Sequence, residues 1–292
     1  MTRPVTRVAA VAATAALAFA LAGCAGAPAA TSAAPTSPAA TPSAEVDVKT
    51  LTVTPGTLTI GTGGPAYSPW VENDDPSSGE GFEAAVAYAV AEQLGFAAAE
   101  VTWVRTTFDE AIAPGPKAWD VNLQQFSITE ERKQAVDFSS PYYTTAQAVL
   151  TTKSSPLAAA TSIADLKDGK IGAMVGTTSL RALTDQIAPT VEPSVFNTNE
   201  DTAQALKNRQ VEAIIVDLPT ALYLAAVEIE DGVIVGQLAD ASGGDQFGFV
   251  LPKGSELTAH VSAAVDALTA DGTLAELEQE WLSESISVPV LQ

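Results

Sequence analysis

Apolar and polar positions along the chain fall into short strand-like runs separated by stretches with helical spacing. Leu58-Thr59-Ile60-Gly61-Thr62 alternates with the two-residue period of a strand and empties into the turn Gly63-Gly64-Pro65. Phe82, Val86, Val90 and Leu94 recur every four residues, which predicts a helix starting near Gly81 and stopping at Gly95. Val101–Val104 and Ala118–Phe126 predict two further strands, and Lys170–Val175 and Val211–Val216 two more. Helices are expected from Ser179 and from Pro219, and two in the tail, from Ser255 and from Thr273, divided by Asp271-Gly272. Alternation of this kind over Val46–Gln292 predicts α/β architecture in one large domain or two lobes, with no internal repeat.

The amino terminus follows a different pattern. Arg3 and Arg7 precede an apolar run from Val8 to Ala22, broken only by Thr14, so residues 1–23 read as an export signal. The run is shorter than the roughly 20 residues that span a bilayer. Leu21-Ala22-Gly23-Cys24 resembles a bacterial lipobox, which implies that Cys24 becomes the acylated first residue of the mature chain. Cys24 is the only cysteine, so the folded body has neither an internal disulfide nor a thiol nucleophile. Residues 25–44 contain only Ala, Gly, Pro, Ser and Thr, which cannot bury a core, and residues 24–50 are assigned to a disordered tether. The expected location is the outer face of the cell membrane.

Charge narrows the partners. Fourteen basic residues against 35 acidic ones give a formal net charge of -21. Such a surface repels phosphate backbones and anionic headgroups, which argues against nucleic-acid binding. One histidine and no clustered acid ligands argue against metal hydrolysis, and no metal or cofactor is expected.

The stretch Gln124–Tyr143 carries the candidate chemistry. After the strand-like run ends at Ser127, Thr129 stands where a helix N-cap belongs, with Glu130 and Glu131 in the first turn. Arg132 opposes the helix dipole there, so local stability does not explain it. Its planar fork suits a carboxylate held by two parallel hydrogen bonds, although pairing with Glu131 or Asp137 on the surface is also compatible. The pattern S-I-T-x-E-R-x-x-x-V-D-F-S-x-P-Y-Y from Ser127 to Tyr143 resembles a signature of the polar amino acid-binding proteins, family 3 extracellular solute-binding proteins that capture ligands for ABC importers.

The resemblance implies two lobes of the periplasmic-binding-protein type, each a mixed sheet flanked by helices. Two crossing strands would join them near Val149–Lys153 and Gln246–Val250. Lobe one would comprise residues 51–150 and 248–292, and lobe two residues 151–247. It also implies roles. Arg132 would clamp the ligand's α-carboxylate, helped by Thr177 and Thr178 in Gly176-Thr177-Thr178-Ser179, where helix capping is the alternative. Asp217, in Val216-Asp217-Leu218-Pro219, would accept the α-ammonium, although it also stands in a good N-cap context. Tyr67, Trp70 and Phe108 would give apolar contacts, with Trp70 equally suited to packing. Ser127, Gln124 and Gln125 would form the lobe-one rim. Three features depart from the family: Gly63-Gly64-Pro65 after the first strand lacks the frequent acid, Ala113-Pro114-Gly115-Pro116 interrupts what is normally a longer helix before Trp119, and Gln124-Gln125 replaces the usual small pair, so the pocket is either narrower or reads an amide. The expected partners are a free amino acid and a membrane permease, with the protein a monomer. A dehydratase acting on prephenate- or arogenate-type acids is the rival, with Glu83 and Glu131 as conceivable acids, and a solute sensor is a third reading. His260 in a tail helix is expected to be a surface or packing residue, and the acidic stretch Glu72–Glu83 solvated surface, with contact to a cationic ligand such as a basic amino acid as the alternative.

Overall fold

The structure, a computed structural model, describes residues 46–239, 243–282 and 288–292. The expected export signal, Cys24 and the stretch to residue 44 expected to be a tether lie outside these residues. The chain builds β1 (Leu58–Gly63), α1 (Phe82–Gln93), β2 (Val101–Thr106), α2 (Phe108–Ile112), β3 (Val121–Asn122) and β4 (Val136–Thr145). It continues through β5 (Gln147–Thr152), β6 (Ile171–Met174), α3 (Thr178–Ala182), β7 (Ser194–Phe196), α4 (Asn199–Lys207), β8 (Ala213–Asp217), α5 (Leu218–Tyr223) and β9 (Gly232–Leu238). It closes with β10 (Asp245–Pro252), α6 (Leu257–Ala270), α7 (Thr273–Trp281) and β11 (Val290–Leu291).

These strands form two mixed sheets, one per lobe. The first has the order β2-β1-β3-β10-β4 and the second β11-β9-β5-β8-β6-β7. In the first, β1 lies parallel to β2 and β3, while β10 runs antiparallel to β3 and β4. Helices α1, α6 and α7 cover it over a core that includes Phe82, Val86, Val90, Phe247, Phe249 and Leu257. The second lobe buries Val149, Ile171, Leu183 and Ile215 on one side of its sheet and Leu150, Leu206 and Ile214 on the other. Leu150 is fully buried in a central strand. Leu150→Ala should therefore cost about 2–5 kcal/mol of stability, read from urea denaturation.

Several boundaries differ from the sequence expectation. The crossing from lobe one to lobe two occurs at Ala146, earlier than Val149–Lys153, because β4 stays paired with β10 up to Thr145↔Asp245 and Gln147 already pairs with Asp217. All of Asp245–Pro252 belongs to the first sheet, so the return crossing precedes Gln246–Val250. The end of the tail does not remain in lobe one: α6 and α7 pack there as expected, but β11 pairs parallel with β9, and Leu291 fills the second lobe's core. The folded body starts before residue 50, since Val48 and Leu51 pack on lobe one and Lys49 pairs with Glu100 at 2.6 Å. The strand expected over Ala118–Phe126 is only two residues long. Asp120 spends its carboxylate on the backbone N–H groups of Val53 and Thr59, and Gln125 adopts a positive φ of 52°, which ends the extended run. The Thr129 cap is present, with Oγ1 accepting from Arg132 N at 3.1 Å, but only a single 3-10 turn, Arg132–Gln134, follows it.

One glycine positions an element of the cleft. Gly81 has φ +100°, and a Cβ there would lie 2.6 Å from the Trp70 carbonyl oxygen. The start of α1 is thereby pressed against the Trp70 loop, with Phe82 N donating to Pro69 O and Glu83 N to Trp70 O. Glu83 is turned inward and buried, unlike the solvated residue expected at the end of the acidic stretch.

Candidate functional site

A cavity of about 400 Å³ opens between the lobes, within the roughly 300–1,000 Å³ typical of small-molecule sites. Tyr67, Trp70, Phe108, Gln124, Gln125, Ser127 and Arg132 line it from lobe one, and Thr177, Thr178 and Asp217 from lobe two. All ten candidate residues thus face one space, although they are spread over 151 positions of sequence, from 67 to 217.

Arg132 lies at the junction. It is only 9 % exposed, and neither Glu131 nor Asp137 is its partner. Nη1 donates to Ser127 O at 2.7 Å and Nη2 to Gly176 O at 2.9 Å, so the guanidinium touches both lobes. Its carbon sits 5.2 Å from the centre of the Phe108 ring, a cation–π arrangement. Two of five N–H donors go to these carbonyls, which leaves three for an anion. Burial lowers its pKa to about 10, with Arg181 adding to the effect, and it remains a cation at neutral pH.

The loop after β6 meets this group. Gly176, at φ +72°, turns the chain into α3. Thr177 Oγ1 accepts from Leu180 N at 3.1 Å and donates to Met174 O at 2.7 Å, which makes it the helix cap. Thr178 is left to reach across the cleft, where its hydroxyl lies 3.1 Å from that of Ser127.

Asp217 ends β8 at the N-cap position of α5, yet its side chain makes no capping bond. Pro219 in the first turn lacks an N–H, which reduces what a cap has to satisfy. The carboxylate instead accepts from Gln147 Nε2 at 2.7 Å and lines the cavity. Burial raises its pKa to about 7; Asp245 adds to the rise, while Gln147 and Arg132 oppose it. A guanidinium from one lobe and a carboxylate from the other therefore look into one space.

The aromatic residues divide their duties. Trp70 is 2 % exposed and packs edge-on against Phe82, Tyr143 and Phe247, so packing is part of its role. Its Nε1 also donates to Thr220 Oγ1 across the cleft at 3.1 Å. Tyr67 is the exposed one, with its hydroxyl donating to Glu200 at 3.1 Å. Phe108 stacks on Phe126 with ring centres 4.7 Å apart.

Gln124 and Gln125 spend their amides within lobe one. Gln124 Nε2 donates to Thr106 Oγ1 and to Asn122 Oδ1. Gln125 donates through its backbone N–H at 2.7 Å and through its side chain to Glu83. Tyr142 donates its hydroxyl to the same carboxylate. Glu83 is 1 % exposed and lines the cavity, while Glu131 is exposed and lies outside its lining. Burial lifts the Glu83 pKa to about 7 against the pull of its three donors. His260 sits in α6, away from the cavity.

Sequence reasoning missed Asn197, Thr198 and Asn199 at the cavity wall. The available signal was Thr198 followed by Glu200 and Asp201, a helix start: Thr198 Oγ1 accepts from Asp201 N at 3.0 Å. Gln147 was missed as well, and nothing local marks it.

Residues 58–284 match the family model of the bacterial extracellular solute-binding proteins, family 3. The chain belongs to this family. It is 31 % identical over 205 residues to a probable histidine-binding protein of Campylobacter jejuni, covering 68 % of this chain and 74 % of the relative. It is 30 % identical over 234 residues to an L-cystine-binding protein of Escherichia coli, covering 80 % and 85 %. The solved structure of an ancestral arginine-binding protein bound to glutamine superimposes on this solute-binding protein with a TM-score of 0.66 at 31 % identity, covering 78 % of this chain and 99 % of that one. Among the described residues of this family 3 protein, no helix is long and apolar enough to cross a membrane.

Proposed function

We propose that this protein is the extracytoplasmic substrate-binding subunit of an ABC importer, and that it captures a polar amino acid between its lobes. The observation that carries the reading is the pairing of Arg132 and Asp217 across one cavity. A free amino acid is a zwitterion, and one cation and one anion from opposite lobes complement its two charged ends. Arg132 takes the α-carboxylate, with Ser127, Thr177 and Thr178 beside it, and Asp217 takes the α-ammonium. Tyr67, Trp70 and Phe108 line the space left for the side chain, and Gln124 and Gln125 brace its floor. Because the ligand touches both lobes, binding favours the closed arrangement.

The relatives named for histidine, cystine and arginine binding support an amino acid as the solute. Cys24 is proposed as the lipid anchor, with residues 25–44 as the leash that lets the folded body reach a permease in the same membrane. The dehydratase reading has less support: the Glu83 carboxylate is already occupied by Tyr142 and Gln125, and His260 is remote from the cavity.

A thermal-shift screen of the purified protein against the twenty amino acids tests the proposal. A ligand present at about 100 times its Kd adds roughly 2.7 kcal/mol. In a protein of this size that raises Tm by about 5–10 °C. At least one polar amino acid should do so; a flat response to all twenty would overturn the reading.

A further inference from the structure

The cleft acid has a support that its own strand does not provide. Gln147 is 7 % exposed and sits one residue past the crossing at Ala146. Its Nε2 donates to Asp217 Oδ1 and to Asp245 Oδ2, each at 2.7 Å. Asp217 ends a strand of lobe two, whereas Asp245 opens the strand by which the chain re-enters lobe one. A single nitrogen at the pivot thus holds two carboxylates from different lobes as near neighbours. The amide cannot be turned around, since its oxygen would then face both carboxylates. Held this way, Oε1 is buried with no hydrogen-bond partner among the described residues. A buried acceptor left unpaired is unfavourable, so packing alone gives no reason for a glutamine here.

Resting on the reading of Asp217 as the ammonium acceptor, we propose that Gln147 and Asp245 are positioning residues for that acid, one amide fixing its orientation and its charge from the pivot between the lobes. The bond to Oδ1 leaves Oδ2 of Asp217 for the ligand. Donation to the ionised form favours it, while Asp245 disfavours it. Among the described residues, the remaining charged or titratable groups felt by Asp217 are Arg132, which favours its ionised form, and Tyr142 and Tyr143 of β4, both held neutral by burial. Gln147 therefore offsets the repulsion that Asp245 imposes, and Asp245 in turn keeps the amide from rotating away.

Carboxyl ¹³C NMR of the ligand-free protein reads this directly, with the Asp217 signal assigned by its loss in Asp217→Asn. In Gln147→Leu the Asp217 midpoint should rise by about one pH unit or more, because a favourable bond is lost and a like charge is left uncompensated. Adding Asp245→Asn to that variant should bring the midpoint back towards wild type, and Asp245→Asn alone should lower it. Calorimetry with the amino acid that gives the largest thermal shift should show at least about tenfold weaker binding at pH 7 for Gln147→Leu, and recovery in the double variant. A merely structural glutamine would not be rescued by neutralising a second acid. An unmoved midpoint in Gln147→Leu, or a double variant as impaired as the single one, overturns the proposal. Should Gln147→Leu fail to fold, Asp245→Asn decides: an Asp217 midpoint that does not fall rejects it. If no amino acid shifts Tm, the importer reading fails, and the NMR titration still decides this one.

Discussion

Arg132→Ala is expected to weaken binding of every amino acid the protein accepts by about 30- to 4,000-fold, since truncating one member of a buried, hydrogen-bonded charge pair costs roughly 2–5 kcal/mol. The α-carboxylate is common to all of them, so the loss should be uniform across ligands, whereas changes at Tyr67 or Phe108 should alter their ranking. Arg132→Lys should recover little. An ammonium lacks the planar fork, and the bonds to Ser127 O and Gly176 O that fix the guanidinium require two separated nitrogens. Isothermal titration against two or more amino acids, with circular dichroism to confirm folding, reads the result. Unchanged affinity in a folded Arg132→Ala variant would remove this residue from the clamp.

The second large effect is in the stability of the ligand-free protein, which should fall as pH rises from about 5 to about 8. Glu83 and Asp217 are each pushed up to about 7, chiefly by burial. Unfolded carboxyls titrate near 4. Between those values the folded state binds more protons than the unfolded one, so the stability slope with pH is negative. The contribution is fully present below pH ~4 and lost as pH passes through ~7. At 1.36 kcal/mol per pKa unit, each group contributes on the order of 4 kcal/mol. Glu83→Gln should remove its share and flatten the Tm–pH curve between pH 5 and 8. An unaltered curve in that variant would show that Glu83 is not the titrating group. A saturating amino acid should work in the opposite direction and stabilise more at pH 8 than at pH 5, because an ammonium is held by the ionised form of Asp217.

Part of this was legible because it is local. The four-residue spacing from Phe82 to Leu94 needs only helical geometry and one apolar side, and α1 covers Phe82–Gln93. Gly176-Thr177 after a strand-like run marks a turn and a cap, and both are present. Arg132 drew attention because it contradicted its own neighbourhood, and residues that violate local preference are often shaped by something distant. The local pattern also misled. Asp217-Leu218-Pro219 reads as a cap, yet the side chain turns to Gln147, 70 residues away. The expected third strand dissolved because Asp120 and Gln125 found partners at Val53, Thr59 and Glu83.

By itself, then, the sequence determined most of the periodic elements, the apolar character of residues 8–22 ahead of Cys24, the anionic character, and which residue types were available for a zwitterion. Only the tertiary structure decided that Glu83 is buried beneath the cavity rather than solvated, that Val290–Leu291 completes the far lobe's sheet, and that Gln147 joins Asp217 to Asp245. The physical reason is one of range. Spacing along a chain reports the period of its own helix or strand. The desolvation and hydrogen bonds that give a polar side chain its task come from segments brought together only when both sheets have formed.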